Sequence, residues 1–287
     1  MEKTLVRKSH KKPSVVITLV ITYAVMILLA ISMVFPYLYM ALTTFKPMEE
    51  TVSAGITLFP RVWTVKAYKE VWKLVPFGRG ILNTMIVEVP VILVGSFTSA
   101  LGAFAFAKMR LPCAKVILLV LMSGMMVPFA ALFLPQYQIY SSMHLTNNLL
   151  PLILPGLFGN ISMVFFLIQF MGGIPNALFE AAKIDGCGYF KSFVYIMLPL
   201  LWPALAAQGV FWFLGIWNDY FAPSIYLTKP EVMTLQPLIN RLNATQGGRD
   251  FPLVMTGAFL SSIPLIAVYL AFQKYFMSAL SITSGIK

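Results

Sequence analysis

Histidine and cysteine are scarce: the 287 residues contain two of each, His10, His144, Cys113 and Cys187. Zinc sites need Cys and His clustered at short spacings, and general acid–base sites lean on histidine. Four residues scattered this widely offer no metal pattern, no histidine-based catalytic set and no disulfide framework. No G-x-x-x-x-G-K-[ST] stretch occurs, so the chain lacks the loop that grips nucleotide phosphates and is not expected to bind ATP. Charge is scarce too, at 11% of residues with only 10 Asp and Glu. Apolar residues take the remaining space, 59% of the chain, with a mean hydropathy of +0.82. A soluble core cannot absorb that much apolar surface, so the fold class expected is an all-α polytopic membrane protein.

A span needs about 20 apolar residues. By that measure six are expected, at 15–40, 81–107, 115–134, 149–171, 203–226 and 253–276, forming one domain over 15–276 between tails 1–14 and 277–287. The connections 46–80, 135–148 and 228–252 fall on one side, and a half-polar loop, 174–200, on the other. The run after the basic start is longer than a signal-peptide core and has no small-residue cleavage site, so it is expected to remain as the first span.

A net charge of +11 would suit nucleic acid, but its distribution follows topology instead. Of the 21 Lys and Arg residues, 12 lie before the first span, around Lys108, Arg110 and Lys115, at Lys183 and Lys191 in the half-polar loop, and at Lys274 and Lys287. The positive-inside rule makes those segments, and both termini, cytoplasmic. No nucleic-acid partner is expected. Cys113 and Cys187 then lie where thiols stay reduced.

In the half-polar stretch 174–203, Pro175 suits the first turn of a helix and Gly186 its end, which predicts a short helix over 175–185. Its middle holds Glu180, Ala181 and Ala182. A carboxylate beside two small side chains lets a partner's backbone approach while Glu180 accepts a charge-assisted hydrogen bond. Beyond the Gly186 to Gly188 bend, Tyr189 to Leu198 reads as a second helix with Phe190, Phe193, Val194 and Met197 on one face, stopped by Pro199. By physics alone two readings stand, a protein-docking element and an amphipathic helix lying in the lipid interface.

Glu180-Ala181-Ala182 with Asp185-Gly186, followed by Ile196, Leu198-Pro199 and Pro203, resembles the EAA loop of permease subunits from binding-protein-dependent ABC importers. The similarity extends over nearly the whole chain, to the six-span permeases of carbohydrate importers of the maltose-transporter G type. Phe35-Pro36, Thr44-Phe45-Lys46-Pro47, Leu82-Asn83-Thr84, Ala105-Phe106-Ala107-Lys108-Met109-Arg110, Met126-Val127-Pro128 and Trp217-Asn218-Asp219 fall where that family has such signatures. The pattern departs at Cys187 and Gly188.

The resemblance implies a type I ABC importer permease fold whose loop docks, as a coupling helix, in a cleft of an ATPase subunit, a role carried to Glu180, Ala181, Ala182, Asp185, Gly186, Leu198 and Pro199. It implies a second homologous permease, two ATPase subunits that hold ATP and magnesium, an extracytoplasmic solute-binding protein, and a carbohydrate, an oligosaccharide, as cargo. It also implies a bacterial plasma (inner) membrane. The tail from Leu280 to Lys287 is similar to one that reaches the paired ATPase subunits in that family. The loop 228–252 corresponds to one that enters the sugar-binding protein, and its polar residues Gln236, Asn240, Asn243, Gln246, Gly247 and Gly248 are the candidate contacts.

Five positions inside the spans bear on the solute path. Glu88 is an intramembrane carboxylate, expensive unless it faces a cavity or a partner; it either lines the path or holds the structure. Asn160 either touches solute or hydrogen-bonds across helices. Trp217, Asn218 and Asp219 offer the aromatic face, amide and carboxylate that sugars are held by, or else form an interfacial Trp with a helix-end cap. An ion-driven carrier would use Glu88 and Asp219, but no internal repeat accompanies them. An intramembrane enzyme would need a clustered set that is missing.

Overall fold

The computed structural model describes residues 13–53, 57–245 and 250–283, and among them every regular element is helical. Helix α1 (Pro13–Thr43) is apolar on all sides, and none of its most apolar stretch is buried against the rest of the chain. It touches the bundle near its end, where the Tyr37 ring lies 5.8 Å from that of Phe259. A tightly bonded segment follows with α2 (Met48–Ser53) and α3 (Lys66–Leu74). There the buried Lys46 ammonium donates to the Thr57 carbonyl, and Glu50 accepts the Arg61 backbone N–H at 3.0 Å. The described residues of the 46–80 connection are thus tied together by their own hydrogen bonds.

Helix α4 (Phe77–Lys108) is the axis. Its 32 residues give a rod about 48 Å long at 1.5 Å per residue. It packs on α7 (Leu150–Leu157), α8 (Ile161–Gly172), α12 (Trp202–Trp217) and α14 (Leu235–Thr245). Gly95, Ser99, Ala100 and Ala103 are buried on it, and small residues of this kind are what let helices approach closely in a bilayer. A Cβ on Gly95 would stand 2.3 Å from the Gly156 carbonyl oxygen, so only glycine fits.

Apolar side chains gather in two clusters, one at each end of α4. The first joins Val71, Phe77, Phe213, Trp217, Leu235, Leu238 and Leu253; the second joins Ala103, Phe104, Met163, Leu167, Phe193 and Met197. Helix α9 (Ala177–Ile184) lies at the second end, and α13 (Phe221–Tyr226) with α14 at the first.

The expected six spans are not matched one for one. Among the described residues four helices are long and apolar enough to cross a membrane, at Ile17–Thr43, Phe77–Lys108, Leu150–Gly172 and Phe251–Lys274. A fifth results if Tyr189–Leu200 and Trp202–Trp217, which meet at 73°, count as one bent span. The stretch expected as the third span is divided into α5 (Ala114–Gly124) and α6 (Phe129–Ser142). Pro128 ends regular helix between them because it lacks an N–H and disfavours helical geometry in its neighbour. The 135–148 connection therefore begins inside a helix. The last helix, α15 (Phe251–Thr283), runs on into the segment expected as a tail.

Candidate docking helix and cavity

Pro175 and Asn176 lead into α9, and Gly186 ends it at φ +74°, in the left-handed region that glycine adopts without a Cβ penalty. The Gly186 N–H donates to Lys183 and the Cys187 N–H to Ala182, at 3.1 and 2.8 Å. This pair satisfies carbonyls that a helix end otherwise leaves open, and it gives position 187 a backbone role. Glu180, Ala181, Asp185 and Gly186 are exposed, while Ala182 is buried against the protein. Large apolar side chains are exposed on α9 and just after it: Ile184 is 86% exposed, Phe190 63% and Tyr195 75%; of these the sequence pointed only to Phe190. The surface is thus acidic, small and apolar at once. Ile184 was visible as an apolar residue beside Asp185-Gly186, but its outward direction depends on which face α9 buries.

Leu198 and Pro199 do not share that surface. They line an apolar groove of about 820 Å³ with Phe97, Trp202 and Phe213, at the elbow before α12. Nor does Pro199 stop its helix. Helix α10 (Tyr189–Ser192) passes into a π-helical turn over Phe193–Met197 and on through α11 (Leu198–Leu200), with the break at Leu201. The π turn already interrupts the α pattern just before the missing Pro199 N–H.

The path candidates separate. Asn160 and Asp219 come together in a cavity of about 340 Å³, bounded by Thr84, Val87 and Val91 of α4, by Trp212 and by Gln136. Among the described residues no Lys, Arg or His lines it. Both candidates also act as caps. Asn160 accepts the Met163 N–H at 3.2 Å through its side-chain oxygen, and Asp219 accepts the Ala222 N–H at 3.3 Å. Gln136, Trp212 and Thr234 were missed because each looks like an ordinary helix or loop residue until five helices, α4, α6, α7, α12 and α13, converge on the cavity.

Trp217 is no path residue: it is fully buried, its ring stacks on Phe213, and its Nε1 donates to the Ser261 carbonyl at 2.9 Å. Asn218 is exposed outside the cavity and donates to the Leu214 carbonyl at 2.8 Å. Glu88 is 1% exposed, is not among the cavity's lining residues, and among the described residues neither carboxyl oxygen has a hydrogen-bond partner.

Within the loop expected at 228–252, residues Leu235–Thr245 form α14. Leu235, Leu238 and Leu242 are buried, and the Thr84 hydroxyl accepts the Leu235 N–H at 3.0 Å. Gln236 donates to the Trp217 carbonyl at 3.2 Å, and Asn240 to the Tyr220 hydroxyl at 2.8 Å. Asn243 is exposed. Gln246, Gly247 and Gly248 lie outside the described residues.

Residues 98–282, from the middle of α4 through α15, match the family model described as "binding-protein-dependent transport system inner membrane component". The chain belongs to this family. As an inner membrane component of such a transport system, it is a multi-pass permease. It is 29% identical over 265 residues to the arabinooligosaccharides transport system permease protein AraQ of Halalkalibacterium halodurans, covering 88% of this chain and 91% of the relative. It is 27% identical over 263 residues to the diacetylchitobiose uptake system permease protein NgcG of Streptomyces coelicolor, covering 91% and 87%. The permease shares its fold with a chain in the crystal structure of a bacterial ABC transporter involved in the import of the acidic polysaccharide alginate. That match has a TM-score of 0.80 at 20% identity and covers 93% of this chain and 99% of that one.

Proposed function

We propose that this permease forms half of the path of an ATP-driven importer for a neutral oligosaccharide, working as one domain over 15–276 beside a second, homologous permease. The observation that carries the sugar assignment is the likeness to permeases named for arabinooligosaccharides and diacetylchitobiose over about nine-tenths of the chain. The cavity supports it: amide, hydroxyl, indole and carboxylate groups suit a glycosyl unit, and the lack of a cation among the described lining residues disfavours an anionic one.

One ATPase subunit docks on α9 and a second on its counterpart in the partner permease, both holding ATP and magnesium themselves, with Glu180, Ala181, Asp185, Gly186 and Ile184 facing the first. An extracytoplasmic binding protein meets the opposite end at α14, through Asn240, Asn243 and the segment that follows. Both termini are cytoplasmic, and the membrane is the bacterial plasma (inner) membrane. ATP-driven closure moves α9 as a rigid body and switches the cavity from one side to the other.

The test is ATP hydrolysis by the reconstituted complex with its binding protein and a panel of neutral and acidic oligosaccharides. Stimulation by neutral sugars supports the reading. Stimulation by acidic sugars alone would retain the importer and reject the cavity argument, and a fully assembled complex that no sugar stimulates would reject the carbohydrate assignment.

A further inference from the structure

Lys108 closes α4, and the contacts of its ammonium group all lie on the segment that begins α9. Nζ donates to the Ile174 carbonyl at 3.0 Å and to Oδ1 of Asn176 at 2.7 Å. It also stands 5.1 Å from the centre of the Phe179 ring, close enough for a cation–π attraction. Phe179 in turn packs against Phe104, one turn back on α4, with ring centres 6.0 Å apart. The short helix is therefore held to α4 both at its start and through its first turn.

Asn176 sharpens the point. It occupies the N-cap position of α9, where an asparagine side chain ordinarily accepts a helix N–H. Here it makes no such cap bond. Its oxygen is committed to Lys108 instead.

The covalent route out of α9 is the softer one. Gly172 and Gly173 precede it, and Gly186 and Gly188 follow it. An added Cβ at Gly172, Gly186 or Gly188 would meet nothing within 4 Å. Glycine joints bend readily, so a push on α9 would be lost in them unless a second connection carried it. Lys108 is 17 residues from Val91 on the same helix, about 25 Å at 1.5 Å per residue, and Val91 lines the cavity.

We infer that Lys108 is the positioning residue through which displacement of α9 reaches the cavity wall on α4. The inference rests on the reading of α9 as the ATPase-docking helix. The Lys108 contacts make α9 and the end of α4 one rigid piece, so α4 moves when α9 is driven.

The test uses the complete transporter, with ATP and orthovanadate as the probe of the ATP-driven state. In a background carrying Cys113→Ser and Cys187→Ser, Val87→Cys reports movement at the cavity through its rate of maleimide labelling. With Lys108 intact, vanadate trapping is expected to change that rate. Lys108→Met should shrink the change by about tenfold, the scale on which one charge-assisted contact couples two sites, while the ATPase subunits still co-purify. Lys108→Arg should retain most of the response. Asn176→Ala should lose part of it, and should add nothing in the Lys108→Met background.

An undiminished response in Lys108→Met would overturn the inference, as would a cavity whose labelling never responds to vanadate. If Lys108→Met does not assemble, Asn176→Ala decides alone, and an undiminished response there is equally fatal. Glu180→Lys separates the two levels. If it abolishes the response and Lys108→Met does not, only the Lys108 inference fails; if Glu180→Lys leaves the response intact, the docking reading fails and the inference with it.

Discussion

Trp217 and Asp219 stand two residues apart and do different work. The indole is enclosed by the cluster at one end of α4, so Trp217→Ala leaves a hole that its neighbours fill only partly. A loss of about 3 kcal/mol is expected from such a truncation, read as a lower melting temperature in detergent. Asp219→Asn keeps an acceptor for the Ala222 N–H and removes only the charge facing the cavity. It should leave melting unchanged and lower sugar uptake by about tenfold, the scale of one charged hydrogen bond. Wild-type uptake in Asp219→Asn would mean that the cavity does not hold solute. The adjacent Trp, Asn and Asp were legible as a polar and aromatic group at a helix end. Their division into core, surface and cavity was not, because that depends on where α4, α14 and α15 lie around them.

At the scale of the element, α9 combines features that a partner needs and an isolated helix does not. Ile184 exposes almost all of its side chain next to Glu180 and Asp185, and an apolar side chain of that size gains about 1.5–3 kcal/mol when covered. Ile184→Asp should therefore release the ATPase subunits in co-purification while leaving the chain folded. Glu180→Lys should abolish sugar-stimulated ATP hydrolysis, and retention of both activities would remove α9 as the docking element. The existence and ends of this helix could be read from Pro175 and Gly186, since caps are local chemistry. Helix α14 escaped for a related reason. Its polar residues suggest a loop, whereas Leu235, Leu238 and Leu242 recur at the three- and four-residue spacing of a buried helical face.

For the whole molecule, the structure joins two ends through one helix. α4 touches α9 through Lys108 and Phe104, and bounds the cavity through Thr84, Val87 and Val91. Gly95 sits between these ends, pressed against Gly156 and Trp212. Gly95→Val should separate α4 from α7 and lower both melting temperature and uptake, whereas Gly188→Ala, with open space around it, should leave melting unchanged. The bare flank of α1 and the apolar groove at the elbow fit a chain that works beside a second permease. Co-expression with that subunit should raise the yield of detergent-stable protein, and an equal yield without it would count against the heterodimer.

The sequence by itself determined the membrane class, the helical fold and the short helix between Pro175 and Gly186. Each follows from runs, caps and motifs whose physics acts within about 20 residues. The tertiary structure decided the rest. It broke the third span at Pro128, enclosed Trp217, brought Asn160 beside Asp219, and set Lys108 on Asn176, 68 positions further along the chain. Those outcomes depend on side chains that no local spacing places together, and only the packing of the helices against one another puts them in reach.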